Sequence, residues 1–226
     1  MSSADSLPLI LLSGLAADAS VFAPQKIAFT QLVVPSWPRP DPAESLDHYA
    51  RRLARDLDVR GPCLIGGASF GGIVALHAAK YLDVKGVVLI GSIRSPAELP
   101  MYARAARPLK CFVHVLPIRT LQWIVAPLSS QWFRRLSPFT WGLVGQFRRS
   151  DPKVFRWSLS RILDWRETPE PDCPVFQIHG DRDRTLPLRY TQPDTVVKGG
   201  GHVISLTHGR EVNAFVNSVL RSVESG

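Results

Sequence analysis

"GGASFGG", residues 66–72, places a single serine, Ser69, between glycines that stand two positions before it and two positions after it. The stretch is either a glycine-rich turn that happens to hold a serine or a sharp turn that projects the serine from the backbone. Its flanks favour the second, because "CLIGG" (63–67) has the composition of a buried strand and "GGIVALHAA" (71–79) that of a helix. Strand and helix can approach this closely only where side chains are nearly absent. The stretch therefore predicts a strand–turn–helix unit with Ser69 as an exposed nucleophile.

Five short apolar runs, each ending in glycine or a small polar residue, have the pattern of buried parallel strands, and a weaker sixth joins them. They are residues 7–14, 29–37, 63–69, 84–92, 174–181 and 194–201, and the second is the weakest. Helical periodicity lies between several of them, at 45–57, 71–82 and 208–223. This alternation predicts an α/β fold with a doubly wound, mostly parallel sheet of about six strands.

The alternation stops after residue 93, and no strand pattern returns before about residue 168. The interval is apolar and rich in tryptophan and proline, and Ser137-Pro138 and Asp151-Pro152 each have the pattern of a helix start. We therefore predict a helical insertion, about 94–168, that caps the sheet. The chain has 226 residues and 45% hydrophobic content, which fits one domain spanning 1–226 better than two.

The cysteines and the termini indicate a cellular setting. Cys63, Cys111 and Cys173 are odd in number, far apart and not at metal-ligand or redox spacing, which favours a reducing compartment. The start "MSSADS" has no basic leader region, and no window reaches the run of about eighteen apolar residues that a membrane span needs. We expect a soluble, cytoplasmic protein without integral membrane association.

A serine hydroxyl needs a base to take its proton, and the base needs a carboxylate to orient it. "GGGHVISL" (199–206) puts His202 just after the last predicted strand, and "HGDRD" (179–183) puts Asp181 and Asp183 just after the fifth. Asp183 is the preferred acid, with Asp181 as the alternative; the other would then cap local N–H groups in the turn. The order serine, acid, histidine goes with this sheet topology and differs from the orders of trypsin-like and subtilisin-like proteases.

These motifs together resemble the α/β-hydrolase superfamily, and the resemblance covers nearly the whole chain. The residues that carry it are Gly67-Ala68-Ser69-Phe70-Gly71, Gly180-Asp181-Arg182-Asp183 with Pro187 behind it, and Gly201-His202. The resemblance implies an esterase-like site with Asp183 at the family's usual spacing after a glycine. It also implies an oxyanion hole formed by the backbone N–H groups of Phe70 and Leu15. Many relatives carry His-Gly in the first loop, where this chain has Ser13-Gly14.

The remaining histidines and the tryptophans of the insertion have plainer interpretations. The five other histidines are His48, His77, His114, His179 and His208. None forms a His-x-x-x-His pair with an acid in reach, so packing or solvent contact is expected and neither a metal nor a cofactor is predicted. The tryptophans either line an acyl pocket or pack the cap on the sheet; they are Trp123, Trp132, Trp141, Trp157 and Trp165.

Positive charge is concentrated in the insertion. The formal net charge is +8, and residues 94–166 hold thirteen Lys or Arg against three acids. Nucleic-acid binding is not expected, because the basic residues lie in an apolar segment and no recognised nucleic-acid motif is present. The charge is either a solvated face or a docking surface for an acidic acyl carrier, with Arg134-Arg135 and Arg148-Arg149 as candidate contacts.

The sequence therefore predicts a serine hydrolase that acts on a small-molecule ester or thioester with a hydrophobic acyl group, through Ser69, His202 and Asp183 and an acyl-enzyme intermediate. The alternative is a receptor or slow-turnover binding protein that keeps the same three residues on the same fold.

Overall fold

The computed structural model describes residues 7–131, 135, 138–167 and 169–225. Its centre is a six-stranded sheet with the order β2-β1-β3-β4-β5-β6. The strands are β1 (Leu9–Leu12), β2 (Leu32–Val33), β3 (Cys63–Ala68), β4 (Val84–Ile90), β5 (Val175–Gly180) and β6 (Thr195–Val197). Every neighbouring pair is parallel. The predicted α/β fold with about six parallel strands is confirmed, and each strand lies within a predicted apolar run.

Helices flank the sheet and fill the interval between β4 and β5. The α-helices are α1 (Ala23–Ala28), α2 (Leu46–Asp56), α3 (Phe70–Ala78), α4 (Met101–Ala105), α5 (Ile118–Ile124), α6 (Pro138–Arg149), α7 (Pro152–Asp164), α8 (Ile204–Thr207) and α9 (Gly209–Glu224). Short 3₁₀ helices occupy Ala19–Phe22, Ala79–Tyr81, Pro96–Glu98, Arg107–Val115, Ala126–Ser129 and Leu188–Tyr190. Among the described residues, no helix is long and apolar enough to cross a membrane.

The strand β1 shows how the sheet is buried on both faces. Leu9 and Leu11 pack into one core with α9, whereas Ile10 and Leu12 pack into a second core with α2 and α3. Successive side chains of a strand point to opposite faces, so a strand covered on both sides must be apolar throughout. All four residues of β1 are buried, which explains the unbroken apolar runs in the sequence.

The helix α2 follows the predicted segment 45–57 closely. Its first residue is preceded by Ser45, whose hydroxyl accepts a hydrogen bond from the N–H of His48 at 3.1 Å. This side-chain cap satisfies a backbone donor that the helix itself leaves free. Tyr49 and Leu53 lie one turn apart and are both buried against the sheet. The predicted helix at 208–223 likewise corresponds to α9.

The segment between β4 and β5 is helical or irregular wherever the structure describes it. Helix α7 begins as predicted, with Asp151 accepting a hydrogen bond from the N–H of Lys153 at 2.7 Å and Pro152 as the first helical residue. Ser137, the other predicted cap, lies outside the described residues. Trp157 of α7 is buried and packs on Tyr49 with ring centroids 4.3 Å apart. This contact holds the segment against α2.

Candidate active site

Ser69 stands at the turn between β3 and α3 with a backbone that few side chains adopt, φ 52° and ψ −123°. Two close backbone contacts explain its glycine neighbours. A Cβ on Gly67 would lie 2.4 Å from the carbonyl carbon of Gly71, and one on Gly71 would lie 2.2 Å from the carbonyl oxygen of Leu12. Neither position has room for a side chain, so the glycines allow the strand and helix to meet at the serine.

The structure brings Ser69, His202 and Asp183 into one hydrogen-bonded chain. The Nε2 atom of His202 lies 2.9 Å from Oγ of Ser69, and its Nδ1 atom lies 2.7 Å from Oδ2 of Asp183. An ionised carboxylate only accepts hydrogen bonds, so Nδ1 carries the proton in neutral imidazole and Nε2 is left with its lone pair. His202 is therefore oriented to accept the proton of Ser69.

The carboxylate of Asp183 is buried, with its side chain wholly inaccessible to solvent. Its Oδ1 atom accepts the backbone N–H groups of Thr185 and Leu186, each at 2.8 Å. Burial raises the pKa of this carboxyl, but hydrogen bonds from His179 and His202 outweigh it and hold the pKa well below its usual range. Asp183 thus stays ionised although it is buried.

Asp181, the alternative acid, lies elsewhere. Its Oδ1 atom accepts the N–H of Gly199 at 2.7 Å, and its own N–H donates to the carbonyl of Val197 at 3.1 Å. The side chain is exposed and ties the end of β5 to the loop that follows β6. The structure therefore gives Asp181 the turn role that the sequence left open for one of the two acids.

His179 is a neighbour of the site, although its sequence context predicts only packing or solvent contact. It is fully buried at the end of β5, and its Nε2 atom lies 2.7 Å from the carbonyl oxygen of Leu186 and 3.3 Å from Oδ2 of Asp183. Both neighbours are acceptors, so Nε2 must carry a proton. Its position four residues before Asp183 was the only signal in the sequence.

The other histidines lie away from Ser69. His77 is buried and accepts a hydrogen bond from the indole N–H of Trp165 at 3.2 Å, while His48 and His114 are exposed. Among the described residues, no group of three His, Cys, Asp or Glu side chains is arranged to hold a metal ion.

The two predicted oxyanion donors flank the serine. A Cβ on Gly14 would lie 3.3 Å from Cβ of Ser69, which puts the first loop, and Leu15 with it, directly beside the turn. Within the described part of the chain, the N–H groups of Leu15 and Phe70 have no hydrogen-bond acceptor. Both groups are therefore free to donate to a bound oxygen.

Ser13 fixes the first loop from within. Its hydroxyl accepts the indole N–H of Trp37 at 2.8 Å and donates to the carbonyl of Ala17 at 3.1 Å. Trp37 in turn stacks on the ring of Phe70 with centroids 5.7 Å apart. Ser13 thus links the loop, through Trp37, to the helix that begins at Phe70.

Two cavities meet at Ser69, Leu15 and His202. The larger has a volume of about 530 Å³ and is almost entirely apolar. Its other lining residues are Phe70, Ile73, Ile93, Leu99, Pro100, Tyr102, Ala103, Ala106, Leu159, Ile162, Leu163, Thr185 and Leu186. The smaller, of about 240 Å³, is lined by Gly14, Ala16, Ala17, Val21, Ala68, Leu143, Gln146, Val203 and Ser205.

None of the described tryptophans lines either cavity. Trp157 and Trp165 are buried between the insertion and the sheet, Trp123 is 77% exposed, and Trp132 lies outside the described residues. Of the two interpretations given for these residues, packing of the insertion on the sheet applies to Trp157 and Trp165. A larger open depression of about 900 Å³, bordered by Lys85 and Pro174 among others, lies near the amino ends of β4 and β5 and contains no candidate site residue.

The arginine pairs of the insertion differ in their surroundings. Arg149 forms an ion pair with Asp18 at 2.6 Å, and Arg148 donates to the hydroxyl of Ser129. Arg135 is exposed, and Arg134 lies outside the described residues. Arg148 and Arg149 thus have partners within the chain.

A profile of the alpha/beta hydrolase family matches residues 9–215. The chain belongs to this family. A curated relative from Synechocystis sp., provisionally named a non-heme chloroperoxidase, is 34% identical over 73 residues, and the match spans 27% of this chain and only 26% of that protein.

Solved structures of similar fold cover nearly the whole chain. An esterase from Thermogutta terrifontis superposes with a TM-score of 0.69 at 19% identity, covering 96% of this chain and 90% of the esterase. An enol-lactonase from Burkholderia xenovorans superposes with a TM-score of 0.70 at 17% identity, covering 97% of this chain and 94% of the lactonase. MenH from S. aureus superposes with a TM-score of 0.71 at 16% identity, covering 99% of this chain and 97% of MenH. At these identities the likeness shows that the alpha/beta hydrolase fold is shared.

Proposed function

We propose that this alpha/beta hydrolase cleaves a carboxylic ester or thioester with a hydrophobic acyl group, using Ser69 as nucleophile. The observation that carries the proposal is the continuous hydrogen-bonded chain from Ser69 through His202 to Asp183, opening on an apolar cavity. This is the arrangement that activates a serine hydroxyl in acyl transfer.

The first half of the reaction forms an acyl-enzyme. Oγ of Ser69 attacks the substrate carbonyl while Nε2 of His202 takes its proton, and the ionised Asp183 stabilises the imidazolium that results. The tetrahedral intermediate then collapses, the bond to the leaving group breaks, and His202 returns the proton to the departing oxygen or sulfur. Water repeats the sequence on the acyl-enzyme, which releases the carboxylic acid and restores Ser69.

Backbone donors stabilise the negative charge that forms during each half-reaction. The N–H groups of Leu15 and Phe70 border Ser69 and have no acceptor among the described residues. Two such donors, fixed before the substrate arrives, act on the oxyanion without reorganisation. Removing one donor from a hole of this type typically costs about 10²- to 10³-fold in rate.

The larger cavity supports an apolar acyl group. Its volume of about 530 Å³ falls within the range of about 300–1,000 Å³ typical of small-molecule sites. No charged side chain is among its lining residues, so it offers no counter-ion for a charged acyl chain. The smaller cavity shares Ser69 and His202, and we assign the leaving group to it.

A panel of p-nitrophenyl esters and acyl thioesters of graded chain length, combined with a fluorophosphonate probe, tests the proposal. We expect rapid labelling together with turnover that improves as the acyl chain fills the larger cavity. Labelling with essentially no turnover across the panel would favour the receptor alternative and overturn the hydrolase proposal.

Cavity filling tests the acyl assignment separately. Ala103 lines the larger cavity, whereas Ala105 of the same helix is exposed. We expect Ala103→Trp to shift the preference toward shorter acyl chains and Ala105→Trp to leave it unchanged. Equal chain-length profiles in the two variants would contradict the assignment of the acyl group to this cavity.

A further inference from the structure

Exposed apolar side chains are concentrated in one stretch of the insertion. Nine of the thirteen exposed large hydrophobic side chains in the described residues fall within 101–128. We call these nine the apolar face: Met101, Tyr102, Leu109, Phe112, Val115, Leu121, Trp123, Ile124 and Leu128. Trp123 is 77% exposed and Val115 is 74% exposed. Single exposed apolar residues need no explanation, but such a concentration marks an interaction site.

The 3₁₀ helix Arg107–Val115 shows that this exposure follows from the helix geometry. A 3₁₀ helix has three residues per turn, so residues three apart form one row. The row of Arg107, Lys110 and Val113 faces the protein: Arg107 donates to the carbonyl of Trp165, Lys110 pairs with Asp164, and Val113 is buried. A second row, Leu109, Phe112 and Val115, therefore points away from these contacts.

Cations share the apolar face, and anions are absent from its sequence. Residues 101–131 contain four Lys or Arg and no Asp or Glu. Arg104 and Arg119 are exposed, and no carboxylate of the described residues forms an ion pair with either. Arg104 follows Met101 by three positions, and Arg119 precedes Trp123 by four, so each arginine lies on the same helix face as an exposed apolar side chain.

We propose that the apolar face docks peripherally on an anionic lipid surface. Aromatic and aliphatic side chains interleaved with arginine are the composition of segments that lie in a membrane interface. The apolar side chains would enter the boundary between headgroups and acyl chains, while Arg104 and Arg119 contact lipid phosphates. Helix α4 then links surface and site, because Met101 and Tyr102 belong to the apolar face and Tyr102 and Ala103 line the larger cavity.

An acidic carrier protein or a second copy of the chain are the other possible occupants, and the surface fits them less well. A folded partner must offer a matching pocket for each exposed side chain, whereas a fluid bilayer accommodates an irregular set. The apolar face is spread over four short helical segments, Met101–Ala105, Arg107–Val115, Ile118–Ile124 and Ala126–Ser129. Positive charge without any acid complements a uniformly anionic surface.

Cys111 offers a natural position for a fluorescent reporter. It is exposed in the helix Arg107–Val115, in the row next to that of Leu109, Phe112 and Val115. Cys63 is buried, and burial raises the pKa of its thiol to about 11. The labelled protein carries Cys173→Ser, because Cys173 is only half-buried. An environment-sensitive iodoacetamide dye on Cys111 should shift to shorter wavelength with phosphatidylcholine–phosphatidylglycerol vesicles and far less with phosphatidylcholine alone.

Co-sedimentation with the same vesicles measures the contribution of each group of residues. We expect Phe112→Ser and Val115→Ser to lower affinity on the order of tenfold each, and Arg104→Gln and Arg119→Gln about fivefold each, with the arginine effect lost at high salt. The matched control is Ile27→Ser, which removes an 86% exposed apolar side chain of α1, outside the apolar face. It should bind as wild type does.

Several outcomes would overturn the proposal. These are absence of vesicle binding, equal binding by wild type and the Phe112→Ser and Val115→Ser variants, or a dimer in light scattering that those substitutions dissociate. Binding to an acidic acyl carrier protein without binding to vesicles would also contradict it and would assign the apolar face to that partner. None of the substituted residues lines the cavities at Ser69, so turnover of a soluble ester by each variant confirms that it is folded.

Discussion

The carbonyl oxygen of His202 lies 2.8 Å from the point that a Cβ of Gly91 would occupy. Gly91 directly follows β4 and has φ 53°. The loop after β6 crosses the ends of two other strands to bring His202 to Ser69. It also passes close to Gly180, where a Cβ on that glycine would lie 2.3 Å from the carbonyl oxygen of Gly200. These two glycines therefore leave room for the path that His202 takes.

We predict that Gly91→Ala lowers kcat by on the order of 10²-fold, because the methyl group would displace the His202 backbone from its reacting position. An alanine in this left-handed conformation also costs about 1–2 kcal/mol in the free energy of unfolding. Gly61→Ala is the matched control, since Gly61 has φ 86° and nothing within 4 Å of its Cβ position. Urea unfolding should show a stability loss in both variants that is larger in Gly91→Ala, and steady-state kinetics should show a rate loss only in Gly91→Ala.

Asp183→Asn should lower kcat by on the order of 10³- to 10⁴-fold, because an amide favours the wrong tautomer of His202. Asp181→Asn should leave the rate within a few-fold of wild type and cost stability, since Asp181 holds the N–H of Gly199. Kinetics of the two purified variants against one ester decide between the two acids. A crippled Asp181→Asn beside an active Asp183→Asn would reverse the assignment.

Stability should depend on the ionisation of Asp183 in acid. The pKa of Asp183 in the folded protein is held below that of the unfolded chain, which is about 3.9. The ionised Asp183 therefore contributes fully to the free energy of unfolding above about pH 5. This contribution is lost as the pH falls below about 4 toward the pKa of Asp183 in the folded protein. Urea unfolding from neutral to acidic pH should show that the free energy of unfolding falls less steeply as the pH is lowered in Asp183→Asn than in wild type. Parallel curves would contradict this role.

His179 should position Asp183. His179→Leu removes the N–H near Oδ2, so the carboxylate charge acts more fully on His202, favours its protonated form and moves the acid limb of kcat/KM to higher pH. His179→Gln retains an N–H group at a similar distance from the backbone and should return the acid limb of kcat/KM to its wild-type position. A purely structural role would lower Tm in both variants without moving the pH profile.

Most of the scaffold follows from local signals in the sequence. The unbroken apolar runs predict strands buried on both faces, and the glycines around Ser69 predict the tight turn because no other residue fits there. Asp183 could be ranked above Asp181 by its spacing from Gly180, but only the fold shows which carboxylate reaches His202. Here the local pattern and the tertiary structure agree.

The features that the sequence did not reveal depend on contacts between distant segments. In the sequence, Gly91 resembles an ordinary glycine at the end of a strand. Only the fold shows that the loop holding His202, more than a hundred residues later, passes directly over it. His179 resembles a core histidine until the turn after Gly180 brings Asp183 back toward β5. The tryptophans were ambiguous for the same reason, because burial of Trp157 depends on its docking against Tyr49 of α2.

Trapping the acyl-enzyme tests the central claim most directly. A p-nitrophenyl ester with an apolar acyl chain is mixed with the protein, the reaction is quenched in acid within the burst phase, and the peptides are analysed by mass spectrometry. We predict an acyl adduct on Ser69 in wild type and no adduct in Ser69→Ala, whose turnover should fall by at least about 10³-fold. Turnover in Ser69→Ala within tenfold of wild type, or an adduct on another residue, would contradict the account.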